Sequence, residues 1–205
     1  MAAEDARGLL DVLEIERAHM VGHSMGGGEV SVLAVRHPDR VASVVYLDGA
    51  YDWADRTESG EVEEDEPASP DRFASYEEFA EFVRSLDPEF EKIWGPAFDA
   101  MCRALVDTHP DGSVTEKLSD AEAAPFDEAL REFRHPYADI AAPALAIYAV
   151  GDSSKSSAAT WRADCRHRFA AEIANGQVLE IPDATHYLFL DHRDDVLLAI
   201  RTFLS

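Results

Sequence analysis

The stretch Val21-Gly22-His23-Ser24-Met25-Gly26-Gly27-Gly28 constrains this chain more than any other, because few local geometries satisfy it. The apolar run AHMV precedes and overlaps it, and EVSVLAVRHP follows as an apolar-periodic helix stopped by Pro38. A short buried strand therefore enters a tight bend and a helix leaves it, with serine at the bend. Glycine is expected at 22 and 26, where side chains would collide with the neighbouring strand and helix. Gly-x-Ser-x-Gly by itself is a weak signal; its weight here comes from the strand before it and the helix after it.

The rest of the chain alternates in the same way. Residues 5–16 place Leu9, Leu10, Val12 and Leu13 on one helical stripe. The β-branched run VASVVYLD (41–48) predicts a buried parallel strand. Further on, ALAIYAV (144–150) predicts a strand, 157–174 a helix, 177–181 a strand and 191–204 a closing helix. Four strands separated by helices imply an α/β fold with a mostly parallel sheet. Between them, 52–138 reads as an all-helical insertion, which leaves 1–51 and 139–205 as the core. The insertion opens on the acidic, Pro-containing loop TESGEVEEDEPASP (57–70). A capping-box pattern, Ser75-Tyr76-Glu77-Glu78, starts its first helix. A second helix from about 89 to 107 is interrupted at Gly95-Pro96, a turn falls at Pro110-Asp111-Gly112, and a third helical segment covers 119–133.

Charge narrows the choice of partners. Asp and Glu number 41 against 18 Lys and Arg, for a net charge of −23, and only Lys92, Lys117 and Lys155 are lysines. Such a surface repels phosphate backbones and anionic headgroups, so neither nucleic acid nor a membrane surface is an expected partner. The surplus reads as a solvated acidic face, with adaptation to high salt as the alternative. No apolar stretch approaches the roughly eighteen residues of a membrane span, and the N-terminus has no signal-peptide pattern. A cytoplasmic location is expected. Cys102 and Cys165 lack metal-ligand spacing and read as free buried thiols. His109, His135 and His192 also lack ligand spacing, so neither a metal nor any other cofactor is expected.

A serine hydroxyl becomes a useful nucleophile only when a base takes its proton, and that base needs a carboxylate to orient it. Asp152 follows the strand ALAIYAV, and His186 follows the strand before Pro182-Asp183-Ala184-Thr185. Asp48, directly after VASVVYL, is the rival carboxylate, with Asp152 preferred on position. Asp183 and Asp191 read as a turn residue and a helix cap. His23, beside Ser24, is placed among the substrate-pocket residues. The aromatics of the insertion, Phe79 and Phe98 among them, read chiefly as its own core.

In these features the chain resembles the α/β-hydrolase superfamily. Residues 5–48 resemble its helix, nucleophile strand, elbow and next strand, and DATHYLFLDHRDDVLLAIRTFL resembles its ending, with a histidine shortly before the closing helix. The likeness covers a little over half the chain; 52–138 matches the family's helical cap in placement only. The resemblance implies Ser24 as nucleophile, His186 as general base and acid, Asp152 as orienting carboxylate and the Met25 amide as an oxyanion donor. It implies a serine hydrolase of carboxylic esters or related small acyl compounds. A departure is Ala149, where the family often has glycine three residues before the acid. The second oxyanion donor, often marked by His-Gly, has no counterpart here, and the family's first strands are expected to be absent. The strand before Ser24 is then expected at a sheet edge with an uncovered apolar face. A truncated, non-catalytic binding protein is the alternative reading.

Overall fold

The computed structural model describes residues 2–58, 69–150 and 157–205. In chain order the elements are α1 (Ala2–Val12), β1 (Ala18–His23), α2 (Gly26–Arg36), β2 (Val41–Leu47), α3 (Trp53–Glu58), α4 (Tyr76–Leu86), α5 (Pro88–Ile93) and α6 (Pro96–Ala104). Then come β3 (Val106–Thr108), β4 (Val114–Glu116), α7 (Asp120–Arg131), a 3₁₀ turn (Tyr137–Asp139), β5 (Ala144–Val150), α8 (Ser157–Glu172), β6 (Gly176–Pro182), α9 (Leu188–Asp191) and α10 (Arg193–Phe203). The chain divides into two compact units, Met1–Glu61 with Leu130–Ser205, and Val62–Ala129. Most of the acidic loop expected at 57–70 lies outside the described residues.

The larger unit holds a parallel sheet in the order β1-β2-β5-β6, the four-stranded α/β arrangement expected. Strand alternation separates its two faces. Val44, Tyr46, Ala144, Ala146 and Tyr148 point into one cluster, with Leu33 and Ala34 from α2 and Trp161, Cys165 and Phe169 from α8. Val45, Leu47, Leu145 and Ile147 point into the other, with Leu188 of α9 and Val196 of α10. Burial on both faces is why β2 and β5 are continuous apolar runs without alternation.

At the margin, burial fails. β1 pairs only with β2 among the described strands, and Val21 is 51% exposed. Of the expected stripe, Leu10 is buried, while Leu9, Val12 (80%) and Leu13, just past α1, are exposed. The helix lies instead against α2, its Ala3 amide donating to the Glu29 carboxylate at 3.0 Å. Among the described residues, no helix is long and apolar enough to cross a membrane.

Several residues of the expected insertion are built into the larger unit. Asp52 accepts from the His135 amide, Phe133 packs beside Gly28, and α3 lies against α8. The smaller unit is not wholly helical, which corrects the sequence reading. Antiparallel β3 and β4 form a hairpin across the Pro110–Gly112 turn, where Gly112 takes φ +86°. Phe73, Phe79, Phe98, Cys102, Val106 and Val114 are buried in that unit. The Ser75 hydroxyl accepts from the Glu78 amide at 3.3 Å, and the Glu78 carboxylate accepts from the Ala74 amide at 2.7 Å. Both cysteines are free and buried.

Candidate active site

All four parallel strands point their carboxyl ends to one edge of the sheet, so the loops following them meet there. Ser24 follows β1, Asp48 follows β2, and His186 lies four residues beyond β6. Asp152 follows β5 but lies outside the described residues.

Ser24 has φ +53°, a left-handed conformation that costs a non-glycine residue about 1 kcal/mol or more. The surroundings hold it. Its amide donates to Leu47 O at 3.2 Å, and its carbonyl accepts from the Gly27 amide at 2.9 Å. Of the two positions expected to require glycine, one does and the other does not. A Cβ on Gly22 would come 2.3 Å from Gly26 O, so glycine is required there. A Cβ on Gly26 would meet nothing within 4 Å; the second close approach is at Gly27, where a Cβ would lie 2.0 Å from Gly49 O. The elbow helix thus leans on the loop after β2 through Gly27. The Met25 amide lies at the start of α2, where the first N–H groups have no intrahelical acceptor.

Asp48 also has positive φ, +43°, and only 1% of it is exposed. A carboxylate buried this far needs donors, and it has them. Its Oδ1 accepts from the Tyr51 hydroxyl at 2.6 Å and the Ala149 amide at 2.9 Å. Its Oδ2 lies 2.8 Å from His186 Nδ1. An ionised carboxylate only accepts, so Nδ1 carries the proton and the Nε2 lone pair of neutral His186 is the basic one. The residue brought to the histidine is therefore the rival carboxylate of the sequence reading.

The loop bearing His186 is fixed at several points. The Asp183 amide donates to Val150 O at 2.9 Å with Asp183 in the left-handed region, and the Thr185 amide donates to Asp191 Oδ2 at 2.7 Å. Asp183 thus has the expected turn role, whereas Asp191 is not the expected helix cap: it ends α9, α10 has His192 at its N-cap, and the Asp191 carboxylate ties the base loop instead. His23 sits against the same loop, its Nε2 2.9 Å from the His186 carbonyl. Burial pushes the His23 pKa down, and the neighbouring His186 adds to that shift.

Behind this edge, a polar network that carries no sequence motif runs through the core. The Ser31 hydroxyl bonds Gly27 O at 3.0 Å, Tyr46 Oη at 2.7 Å and His135 Nδ1 at 2.9 Å. Asp52 is fully buried, accepts from the His135 amide at 2.7 Å and pairs with the Arg168 guanidinium. Burial, with Arg168 nearby, drives the His135 pKa down to about 3. No set of three or more His, Cys, Asp or Glu side chains among the described residues is grouped to hold a metal ion.

A family model described as alpha/beta hydrolase fold matches residues 1–193. The 2-hydroxymuconate semialdehyde hydrolase of Pseudomonas sp. (strain CF600) is 51% identical over 47 residues, 23% of this chain and 17% of that protein. The 2-hydroxy-6-oxononadienedioate/2-hydroxy-6-oxononatrienedioate hydrolase of Paraburkholderia xenovorans (strain LB400) is 45% identical over 47 residues, 23% and 16% of the two chains. These matches span under a fifth of either relative's length. The crystal structure of E-2-(acetamidomethylene)succinate hydrolase superposes with a TM-score of 0.73 at 26% identity, across 98% of this chain and 72% of that one.

Proposed function

The chain belongs to the α/β-hydrolase fold family, and on that premise we propose that it is a serine hydrolase of carboxylic esters or related acyl compounds. Ser24 is the nucleophile, His186 the general base and acid, and Asp48 the orienting carboxylate. The observation that carries this reading is the 2.8 Å contact between buried Asp48 and His186 Nδ1, at the sheet edge where the strained Ser24 turn also lies.

In the reaction, Ser24 Oγ attacks the substrate carbonyl as its proton passes to His186 Nε2. The oxyanion of the tetrahedral intermediate accepts from the Met25 amide, a kind of contact worth roughly a hundredfold or more in rate. Collapse expels the alcohol, which takes the proton from His186. Water then attacks the acyl-enzyme with His186 again as base, and the carboxylic acid leaves. Asp48 holds the tautomer and stabilises the imidazolium throughout. Relatives named as 2-hydroxymuconate semialdehyde hydrolase and 2-hydroxy-6-oxononadienedioate/2-hydroxy-6-oxononatrienedioate hydrolase support a small-molecule substrate.

A fluorophosphonate probe tests the assignment. It should label the wild type and leave Ser24→Ala unlabelled, with p-nitrophenyl ester hydrolysis lost in parallel. Equal labelling of the two proteins, or a folded wild type that takes no label, refutes it.

A further inference from the structure

His23 occupies a position that the triad chemistry does not use. It ends β1, directly before the nucleophile, and pairs in register with Leu47, the residue before Asp48. Its side chain, half-buried, reaches the base loop. Nε2 lies 2.9 Å from the His186 main-chain carbonyl, and because a carbonyl only accepts, Nε2 carries the proton. The His23 ring lies 4.5 Å from the His186 ring, centroid to centroid, and Phe189 meets it edge-on at 4.9 Å. The Tyr187 ring lies 5.3 Å from the His23 ring, centroid to centroid.

We propose that His23 is a positioning residue for His186, a bracket between the nucleophile strand and the base loop. The proposal rests on the triad reading given above. Asp48 fixes the imidazole through Nδ1 and sets its rotation. That contact does not fix how far the loop backbone stands from Ser24. The His23 bond does, since its donor is one residue from the nucleophile and its acceptor is the backbone of the base. Burial favours neutral His23, which avoids a second cation beside the imidazolium that forms during attack.

Two variants separate the donor from the ring. His23→Phe keeps a ring against His186, Tyr187 and Phe189 and removes the N–H; His23→Gln keeps an N–H donor at similar reach. His23→Phe should lower kcat for an activated ester roughly tenfold or more, with KM within about twofold, as expected of a displaced catalytic group. His23→Gln should recover most of that loss. Independently of turnover, amide exchange at Thr185 and Tyr187 should quicken several-fold in His23→Phe and stay near wild type in His23→Gln. Unchanged kcat in His23→Phe, or equal impairment in both variants, overturns the proposal. If the folded wild type neither turns over nor takes a fluorophosphonate label, the triad reading fails, and the exchange comparison still decides whether His23 holds the loop.

Discussion

Asp48 and Asp52 lie four residues apart after the same strand, and both are buried, yet they resolve the problem of a buried charge in opposite ways. Asp52 pairs with Arg168, a permanent cation, and accepts from the His135 amide. Its own backbone is tied as well, with its carbonyl accepting from Trp161 Nε1 at 3.0 Å and its amide directed at Cys165 Sγ at 3.4 Å. Among the described residues, no arginine or lysine is paired with Asp48. It accepts from a tyrosine hydroxyl, a backbone amide and a histidine whose side chain is 35% exposed. The first arrangement fixes a charge in place. The second sets a carboxylate against a histidine ring nitrogen. If the proposed triad holds, one loop carries a structural anion and a mechanistic one, and substitution tells them apart.

Asp48→Asn should give the largest effect. Geometry would survive, but the amide cannot hold His186 in the required tautomer or stabilise its cation, and kcat should fall by roughly four orders of magnitude. Thermal stability should move little by comparison. Asp152→Asn should stay near wild type in the same ester assay; if the two outcomes are exchanged, Asp152 is the acid. Asp52→Asn should do the reverse. It leaves the Arg168 charge without its buried partner, a change that costs about 3 kcal/mol, toward the low end for buried pairs because Arg168 is 25% exposed. Urea melts should register that loss, while kcat per folded molecule should remain within a few-fold. Loss of turnover without loss of stability in Asp52→Asn would erase the distinction.

The same contrast accounts for what could be read from the residues alone. The run ALAIYAV coincides with β5 because burial on both faces leaves an uninterrupted apolar signature, and the elbow is legible because its glycines and serine act locally. Choosing Asp48 or Asp152 is not a local matter. Both follow strands, and what favours Asp48 is the Ala149 amide, 101 residues away, and the position of β2 between β1 and β5. The network around Asp52 joins residues 83 and 109 positions apart and leaves no periodic trace. The hairpin of β3 and β4 was hidden for another reason: three-residue strands are too short to establish a period of two, so Val106 reads as a helix tail. At the elbow, spacing singled out Gly26, whereas the packing constraint falls on Gly27 because only Gly27 faces the loop after β2.

A pH series sharpens the contrast on the Asp52 side. His135 titrates near the ordinary histidine value, about 6.5, when unfolded, and near 3 when folded, because burial opposes its charged form. Between those values the unfolded chain binds the extra proton, so this contribution to stability is complete above about 6.5 and declines as pH falls toward 3. His135→Phe, which keeps a ring beside Tyr137, removes the term. The stability gap between wild type and His135→Phe should therefore be widest near neutral pH and narrow on acidification, as followed by denaturant melts. A gap that stays constant from pH 7 to pH 4 would mean that His135 is not held neutral.

Tyr51→Phe should give a smaller effect than Asp48→Asn and bears most directly on Asp48. Its hydroxyl donates to Asp48 Oδ1 at 2.6 Å, while its ring packs against Tyr148 and Trp161. Phenylalanine preserves the packing and removes one charge-assisted donor, worth about 1.5–3 kcal/mol. The Ala149 amide continues to hold the same oxygen, so the expected loss lies toward the lower figure. With one donor fewer, the carboxylate draws more strongly on His186. Turnover of an activated ester should stay within about tenfold of wild type, and the acidic limb of the kcat profile should move to higher pH as the imidazolium gains from the freed carboxylate charge. Movement of that limb to lower pH would show that Tyr51 does not compete with His186 for Asp48, and would separate Asp48 from the base.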